Sequence, residues 1–170
     1  MPPPVTNAMR ILDQRGIPYE TVLFSPDIHS AAGVAEAAGL PVERVFKTLV
    51  AIADAGSRPM PVLAIVPGNA DLDLKALART AAQKKVRMAS QKEAESLTGL
   101  QVGGISALAL LQKNWPVYLD SSSQEKEWLV VSAGQRGINL RIAVSDLAAV
   151  TGARVALISR NVPKDAAPRS

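Results

Sequence analysis

Apolar positions along the chain follow helical spacing in some segments and form short β-type runs in others. Ala8, Met9, Ile11 and Leu12 have helical spacing, so a first helix is predicted over about residues 6–15, with Gly16 ending it. Four further helices are predicted, namely 30–39 capped by Ser30, 69–82 capped by Asn69 or Asp71, 90–99 capped by Ser90, and 145–152 capped by Ser145 or Asp146.

The remaining apolar runs predict strands, several of them joined directly by turns. The predicted strands cover residues 19–24, 45–53, 60–66, 84–88, 117–120, 128–132, 138–143 and 154–158. The second and third of them are predicted to form a hairpin through residues 54–57, whereas the apolar run 105–111 fits no single element type. Hairpins mixed with strand–helix alternation favour a mixed α/β domain with a curled mixed sheet over a parallel βαβ array.

Composition fits one globular domain. The chain has 170 residues, of which 48% are hydrophobic and only 4% aromatic, so small aliphatic side chains must fill the core. We expect a single domain over residues 1–170, with Pro-containing ends at 1–5 and 162–170 that are mobile.

The chain contains no Cys, which excludes disulfides, thiolate metal sites and a cysteine nucleophile. Residues 1–4 lack the basic and apolar regions of a signal peptide, and no stretch is apolar enough to span a membrane. We therefore expect a soluble protein of the reducing cytoplasm.

The formal net charge of +4 slightly favours a polyanionic partner, since positive proteins attract phosphates non-specifically. Familiar catalytic patterns are missing: there is one His, and no paired-carboxylate, HExxH, Walker or GxGxxG spacing. Neither a metal nor a cofactor is therefore expected.

Lys47 is the first candidate for chemistry, because it interrupts the apolar strand Val45–Val50. A Lys in that position is most often an outward-facing residue of a half-exposed strand. The alternative is an ammonium at the mouth of a cleft, where it would pair with a phosphate or a ribose hydroxyl.

Gly103 and Gly104, followed by Ser106, form the second candidate. Two glycines allow backbone N–H groups to approach a ligand closely, although an ordinary tight turn explains them equally well. Between two predicted strands, residues 132–137 form either a plain hairpin loop or a site where Ser132 and Arg136 reach a ligand.

Two other features have ordinary explanations. His29, in a Pro-containing loop, is more typical of a surface residue than of a base. The basic cluster Lys84, Lys85 and Arg87 is typical of a solvated face, although it could also follow an RNA backbone.

Several segments, taken in order, resemble the YbaK/EbsC family of aminoacyl-tRNA deacylases and the editing insertion of bacterial prolyl-tRNA synthetases. The segments are IPYETVLF, VFKTLVAI, ADLDLKALART, KKVRMAS, LTGLQVGGIS, VVSAGQRGINLRI and SDLA, and they span roughly residues 9–158. The resemblance implies a curled, mostly antiparallel sheet or barrel surrounded by short helices. It also implies a cleft beside the VFKTL strand that receives an aminoacylated adenosine.

The resemblance carries roles to particular positions. Lys47, Gly103 and Gly104 are the implied catalytic residues, and Phe24, Ser106, Ser132, Arg136 and Asp146 are the implied substrate-binding residues. Two differences from the family concern the choice of amino acid. Phe24 stands where relatives that prefer cysteinyl-tRNA tend to have Tyr, and Ala107 and Ala109 replace the Pro and Gly of the GGISPLG segment.

The resemblance predicts a trans-editing deacylase that removes a mischarged amino acid, cysteine on tRNA(Pro) first and alanine next. The expected partners are the 3′ acceptor end of aminoacyl-tRNA and, through the family, prolyl-tRNA synthetase. A non-catalytic tRNA- or synthetase-binding module on the same fold is the alternative, because the catalytic inventory is sparse. A small-ligand binder unrelated to tRNA is a third possibility, slightly disfavoured by the basic charge.

Overall fold

A computed structural model describes residues 4–55 and 58–161. The predicted mobile ends and the tip of the predicted hairpin fall largely on residues 1–3, 56–57 and 162–170, which lie outside the described residues. In the described part, no helix combines the length and the apolar character needed to cross a membrane.

The chain forms five α-helices and ten strands within the described residues. The helices are α1 (Asn7–Gln14), α2 (Ala31–Ala38), α3 (Leu74–Thr80), α4 (Gln91–Thr98) and α5 (Val144–Thr151). The strands are β1 (Glu20–Leu23), β2 (Phe46–Ala55), β3 (Arg58–Pro67), β4 (Ala70–Leu72), β5 (Val86–Met88), β6 (Val117–Asp120), β7 (Trp128–Gln135), β8 (Ile138–Ala143), β9 (Arg154–Ala156) and β10 (Ser159–Asn161). Short 3₁₀ helices cover Val42–Arg44, Leu108–Lys113 and Ser121–Glu125, so the ambiguous run near 105–111 is largely 3₁₀.

Side-chain caps begin most of the helices where the sequence predicts them. Ser30 accepts a hydrogen bond from the Gly33 amide at 3.0 Å and begins α2. At α4, Ser90 accepts from the Glu93 amide at 3.1 Å while the Glu93 carboxylate accepts from the Ser90 amide at 3.0 Å. This reciprocal capping box satisfies two amides that the helix itself leaves unpaired.

Two predicted caps are wrong. Helix α3 begins later than predicted, and its cap is Asp73, which accepts from the Ala76 amide at 3.1 Å. Asn69 and Asp71 cannot serve because residues 70–72 form β4, which pairs with β10. Helix α5 has Ala143 at its N-cap position and no side-chain cap bond, because β8 runs directly into the helix.

The strands form sheets that are mostly antiparallel. One sheet has the order β1-β8-β7, another β5-β2-β3-β6-β9, and a third pairs β10 with β4. Only β3–β6 and β6–β9 are parallel strand pairs among the described residues. The predicted mixed α/β fold with mostly antiparallel strands and short helices is confirmed, although the sheets remain separate and do not close into a barrel.

The β2–β3 hairpin is buried on both faces. Leu63 and Ile65 join the main core between the two larger sheets, whereas Val62, Ala64 and Val66 pack with α3 on the opposite face. This explains why β3 is a nearly continuous apolar run, since a strand covered on both sides needs apolar residues at consecutive positions.

A smaller cluster holds α2 against the three-stranded sheet. Val34 and Ala35 of α2 pack with Val45 and Val130, and Phe24 lies against the same cluster. Gly68 permits this close approach, because a Cβ on it would lie 2.6 Å from the Ala31 Cβ and 2.8 Å from the Val45 carbonyl oxygen. Helix α2 is thereby fixed beside the start of β2.

Candidate active site

A cleft of about 520 Å³ lies between α2, the first half of β2, the start of α4 and the loop before Ile105. Its position follows from strand lengths. Strand β5 pairs only with Ala51–Ala53 of β2, so the cleft lies along residues 46–50, beyond the part of the edge that β5 covers. The volume is within the usual range for small-molecule sites, and an open strand edge offers backbone groups to a ligand.

Lys47 lines this cleft. The side chain is half-buried, and burial lowers its pKa below the usual 10.5, because the charged ammonium is less well solvated there. The carboxylate of Asp71 acts in the opposite direction and favours the charged form. A partly desolvated ammonium attracts an anionic or hydroxyl ligand more strongly than a fully hydrated one.

Asp71 reaches the cleft from β4, where it lies opposite Arg160 of β10. The electrostatic influence of Asp71 on Lys47 links these two sides of the cleft. Its place in β4 therefore gives it a position in the site that a helix cap would not have.

Gly103 forms part of the opposite wall with φ of +91°, a conformation that strains any other residue. A Cβ there would lie 3.1 Å from the His29 Cβ and 3.3 Å from the His29 carbonyl oxygen. His29 lines the cleft as well, so the glycine allows the two loops to meet at its mouth.

Gly104 is buried behind the cleft and is not one of its lining residues. Its amide donates to the Gln101 carbonyl at 2.8 Å, so this N–H closes a turn and is not available to a ligand. A Cβ on Gly104 would lie 2.9 Å from the Arg136 backbone nitrogen. The expectation that both glycine amides face the substrate is therefore corrected: Gly103 borders the cleft, and Gly104 packs the loop against the β7–β8 hairpin.

Arg136 has a structural hydrogen bond in this packing. Its Nε donates to the Val102 carbonyl at 2.8 Å, which ties the β7–β8 hairpin to the loop that carries Gly103. The residue does not line the cleft, so direct contact with a ligand there, as predicted, does not follow from its position.

Ser132 lines the cleft from β7, opposite Asn139 of β8, which lines it too. The Ser132 hydroxyl accepts from the Gly134 amide at 3.1 Å, and its own proton remains a donor to a ligand. The bulge between Ser132 and Gln135 places this hydroxyl at the end of the regular pairing.

Three other predicted substrate contacts lie elsewhere. Ser106 is buried and its hydroxyl accepts from the Ala109 amide at 3.2 Å, which starts the 3₁₀ segment. Phe24 packs behind the cleft in the α2 cluster, and Asp146 lies in the first turn of α5. None of them is a lining residue. Ala107 and Ala109, which differ from the family as Phe24 does, are buried and do not line the cleft either.

Several lining residues were not predicted from the sequence. His29, Asp71 and Asn139 all border the cleft, and none was expected to bind a ligand. Asp71 was assigned to a helix start because a short strand such as β4 has no signal of its own. The one usable sign for Asn139 was its polar side chain within the apolar strand 138–143, which is 5% exposed in the structure.

The site therefore brings together one partly desolvated ammonium, the hydroxyl of Ser132, the Asn139 amide and a glycine-lined loop. Such a set binds and polarises an oxygen-rich ligand, and it does so without an evident protein nucleophile. The fold and the cleft thus define a class of domain with a small-molecule-sized site that offers one positive charge and several hydrogen-bonding groups to a ligand.

Comparisons with known proteins agree with this class. Residues 25–150 match the family model of the aminoacyl-tRNA editing domain. A protein of Enterococcus faecalis, named as a candidate Cys-tRNA(Pro)/Cys-tRNA(Cys) deacylase, EbsC, is 40% identical over 156 residues, which is 91% of this chain and 93% of that protein. A proline–tRNA ligase of Sulfurihydrogenibium sp. is 33% identical over 119 residues, covering 70% of this chain and 20% of the ligase.

The fold agrees as well. The crystal structure of a candidate trans-editing enzyme for prolyl-tRNA synthetase superposes with a TM-score of 0.78 at 26% identity, covering 91% of this chain and 96% of that one. The chain belongs to the aminoacyl-tRNA editing domain family.

Proposed function

We propose that this protein is a trans-editing aminoacyl-tRNA deacylase that hydrolyses the ester linking a mischarged amino acid to the 3′ end of tRNA. The observation that supports it most is the position of Lys47, which shares one cleft with Gly103 and Ser132. Membership of the editing family supplies the substrate class, and EbsC, the relative that matches over nearly its whole length, is named for the same reaction.

The chemistry requires little from the protein. An aminoacyl ester is already activated, so holding it in place and stabilising the oxyanion contribute most of what is needed. One well-placed oxyanion donor is worth about 3 kcal/mol, and the Gly103 loop lies where it could provide one. Lys47 would bind a ribose hydroxyl or a phosphate of the terminal nucleotide.

Cysteine on tRNA(Pro) is the substrate we favour. A cysteinyl thiol can attack its own ester carbonyl: the new S–C bond forms, the ester C–O bond breaks, and the thiol proton passes to the ribose oxygen. The cysteine leaves as a four-membered cyclic thioester, which water then opens to free cysteine, so the two steps together amount to hydrolysis. Well-oriented intramolecular reactions reach effective molarities of about 10⁵ M or more, which suits a cleft without an evident nucleophile. The named substrate of EbsC agrees with this choice.

The test is to incubate the protein with tRNA charged separately with cysteine, alanine, serine and proline and to follow loss of each ester. Faster ester loss from cysteinyl-tRNA than from the other three supports the proposal. No turnover of any ester overturns it in favour of a non-catalytic binder. S-methylation of the cysteine removes the attacking thiol and keeps the ester. Equal cleavage of the two forms would exclude thiol attack and would favour water as nucleophile, with alanine as the natural target.

Prolyl-tRNA synthetase is the protein partner we propose, because a proline–tRNA ligase contains a segment similar to this chain. A domain with a cleft of this size contacts only a small part of a tRNA, so a synthetase that holds the rest of the tRNA would select which tRNA is edited. Pull-down of the synthetase in the presence of tRNA tests this association.

A further inference from the structure

Two arginine side chains lie against Trp128, and a lysine precedes it by two residues in the chain. Arg44 comes from the 3₁₀ turn before β2, Arg141 from β8, and Lys126 from the segment before β7. These residues, Arg44, Lys126, Trp128 and Arg141, are called the Trp128 cluster below. All are partly exposed, so their charged ends can meet a ligand in solution.

The two arginines are held against the indole. The Cζ of Arg141 lies 3.7 Å and that of Arg44 lies 4.4 Å from the centre of the Trp128 ring. Arg44 also donates from Nη1 to the Trp128 carbonyl at 3.1 Å. The two guanidinium carbons are therefore no farther apart than the sum of these ring distances, about 8 Å, which is within a Debye length of each other in ordinary buffer.

Carboxylates lie near these charges without forming close ion pairs with them. Glu20 lies opposite Arg141 in the β1–β8 register, and Glu43 and Glu127 adjoin Arg44 and Trp128 in the chain. Within the described ranges, the ion pair found within 4.0 Å joins Arg87 to Glu93, on β5 and α4. Aromatic stacking thus holds two like charges close together, and neither guanidinium is tied to a carboxylate at ion-pair distance.

The Trp128 cluster shares a sheet face with the cleft. Ser132 and Asn139 pair with each other and line the cleft, Val130 and Arg141 form the next pair on that face, and Trp128 follows. At about 3.3 Å per residue, Trp128 lies roughly 13 Å from Ser132 along β7. The Lys126 Nζ lies 5.9 Å from the ring of Phe46, which lines the cleft, and it donates to the Ser122 carbonyl at 3.1 Å.

We infer that the Trp128 cluster binds backbone phosphates of the tRNA acceptor arm while the cleft holds the terminal aminoacylated nucleotide. The inference rests on the proposed function and extends it from the ester to the RNA body. Stacked nucleotides advance about 3.4 Å each, so the roughly 13 Å between Ser132 and Trp128 corresponds to about four nucleotides of a stacked strand. Guanidinium groups are well suited to phosphate oxygens, and two of them held together can grip adjacent phosphates.

The test compares the double variant Arg44→Gln/Arg141→Gln with Lys75→Gln/Arg79→Gln, a matched control that removes two positive charges from exposed positions in α3. Binding of an acceptor-arm hairpin is measured against salt. We expect the first double variant to bind about tenfold more weakly at low salt, with its log–log slope reduced by about 1.4 to 1.8 for two lost phosphate contacts. The α3 control should match the wild-type protein, and equal slopes for all three proteins would overturn the inference.

A second measurement needs no variant of the protein. One acceptor-arm hairpin carries uncharged methylphosphonates at the phosphates about four nucleotides from its 3′ end, and a control hairpin carries the same number at the far end of its stem. Weaker binding and a lower salt slope for the first hairpin alone support the inference. Equal affinities for the two hairpins contradict it, even if the double variant fails to fold.

Aminoacyl-adenosine separates this inference from the proposed function. If the wild-type protein hydrolyses neither charged tRNA nor the small ester, the proposed function itself fails. If it hydrolyses both and the double variant keeps its full kcat/KM on charged tRNA, only the role of the Trp128 cluster fails. We expect the double variant to lose about tenfold in kcat/KM on charged tRNA, mainly through KM, and less than twofold on the small ester.

Discussion

Two basic sites on β2 and its neighbour β5 show how differently one positive charge can be used. Lys47 lies in the cleft at one end of β2, half-buried, with a pKa lowered by desolvation. Arg87 lies on β5, where Nη1 and Nη2 donate to the two carboxylate oxygens of Glu93, each at 2.9 Å. Arg87 therefore supports the start of α4, through the same Glu93 that completes the capping box.

The difference lies in the partner and the solvent. An exposed guanidinium that is already paired has little left to offer a ligand, and such exposed pairs contribute little to stability. An ammonium that burial has partly desolvated gains more from a new anionic partner. The predicted basic cluster at Lys84, Lys85 and Arg87 thus has a structural role at Arg87, while function is expected at Lys47.

The largest effect should come from removing the cleft ammonium. Lys47→Ala is expected to reduce deacylation about 100-fold or more, because one electrostatic contact to the reacting end is lost. Lys47→Met should be equally inactive without a lower Tm. Burial lowers the pKa of Lys47, so the charged side chain costs the folded state stability at pH values below 10.5, and Met removes that cost. Rates and melting curves at neutral pH measure both effects.

The matched control for this pair of sites is Arg87→Ala, which removes the paired charge. We expect it to keep near wild-type turnover. Near-full activity of Lys47→Ala with an intact fold would show that the cleft is not the site, and a comparable loss in Arg87→Ala would erase the distinction between the two charges.

The next effect concerns the backbone of the wall facing Lys47. Gly103→Ala places a side chain at φ of +91°, where strain of about 1–3 kcal/mol is expected, and against His29. Gly104→Ala instead forces a Cβ to within 2.9 Å of the Arg136 nitrogen, which must move. We expect about tenfold lower activity for Gly103→Ala and the larger fall in Tm for Gly104→Ala.

Paired measurements of Tm and kcat/KM check this order. An unchanged Tm for Gly104→Ala together with lost activity would indicate that Gly104 acts directly on the substrate and would contradict its assignment to packing.

A smaller effect should follow from Asp71→Asn. The Asp71 carboxylate favours the protonated form of Lys47, so its removal lowers the pKa of Lys47 further. If the ammonium is the active form, the alkaline limb of the rate profile moves to lower pH, and the change in rate is largest on that limb. The profile of kcat/KM against pH measures this shift, and a limb that stays in place would show that Lys47 is not the titrating group.

The smallest effect belongs to the structural charge pair. Arg87 holds the pKa of Glu93 at about 2, below its usual 4.5. Because this pKa is depressed, the stabilisation is complete above about pH 4.5 and disappears as the pH falls towards 2. The Tm difference between wild type and Glu93→Gln should therefore be small near neutrality and vanish near pH 2, with activity unchanged.

A Tm difference that persists at pH 2 would show that the stabilisation comes from the hydrogen bonds between Ser90 and Glu93 and not from the charge of Glu93. Measuring Arg87→Gln beside it separates the ion pair from the Ser90 hydrogen bonds.

Local signals predicted the parts of this molecule that depend on neighbours in the chain. Ser30, Ser90 and Gly39 mark helix ends through contacts within three or four residues, and the structure confirms them. Strand β4 was missed because its partner β10 is supplied by residues 159–161, far along the chain. Asp71 was misassigned for the same reason.

The site follows the same division. Lys47 stands out because an ammonium is unusual in an apolar strand, and Gly103 because a positive φ favours glycine. Gly104 and Arg136 looked equally suited to a ligand, but their partners are Gln101 and Val102, which only the folded chain brings close. Residue type indicated the chemistry, and long-range packing decided which groups are available for it.

The register of the β2–β3 hairpin has a consequence for folding fidelity. Phe46 pairs with Pro67 and Lys47 with Val66, so neighbouring residues of β2 face opposite sides of the sheet. A slip by one residue would exchange those sides and direct the ammonium into the main core, where Phe46 is 2% exposed. Burying an unpaired charge in such a place is strongly disfavoured. Lys47, the residue proposed for chemistry, therefore also destabilises the β2–β3 pairing that is shifted by one residue.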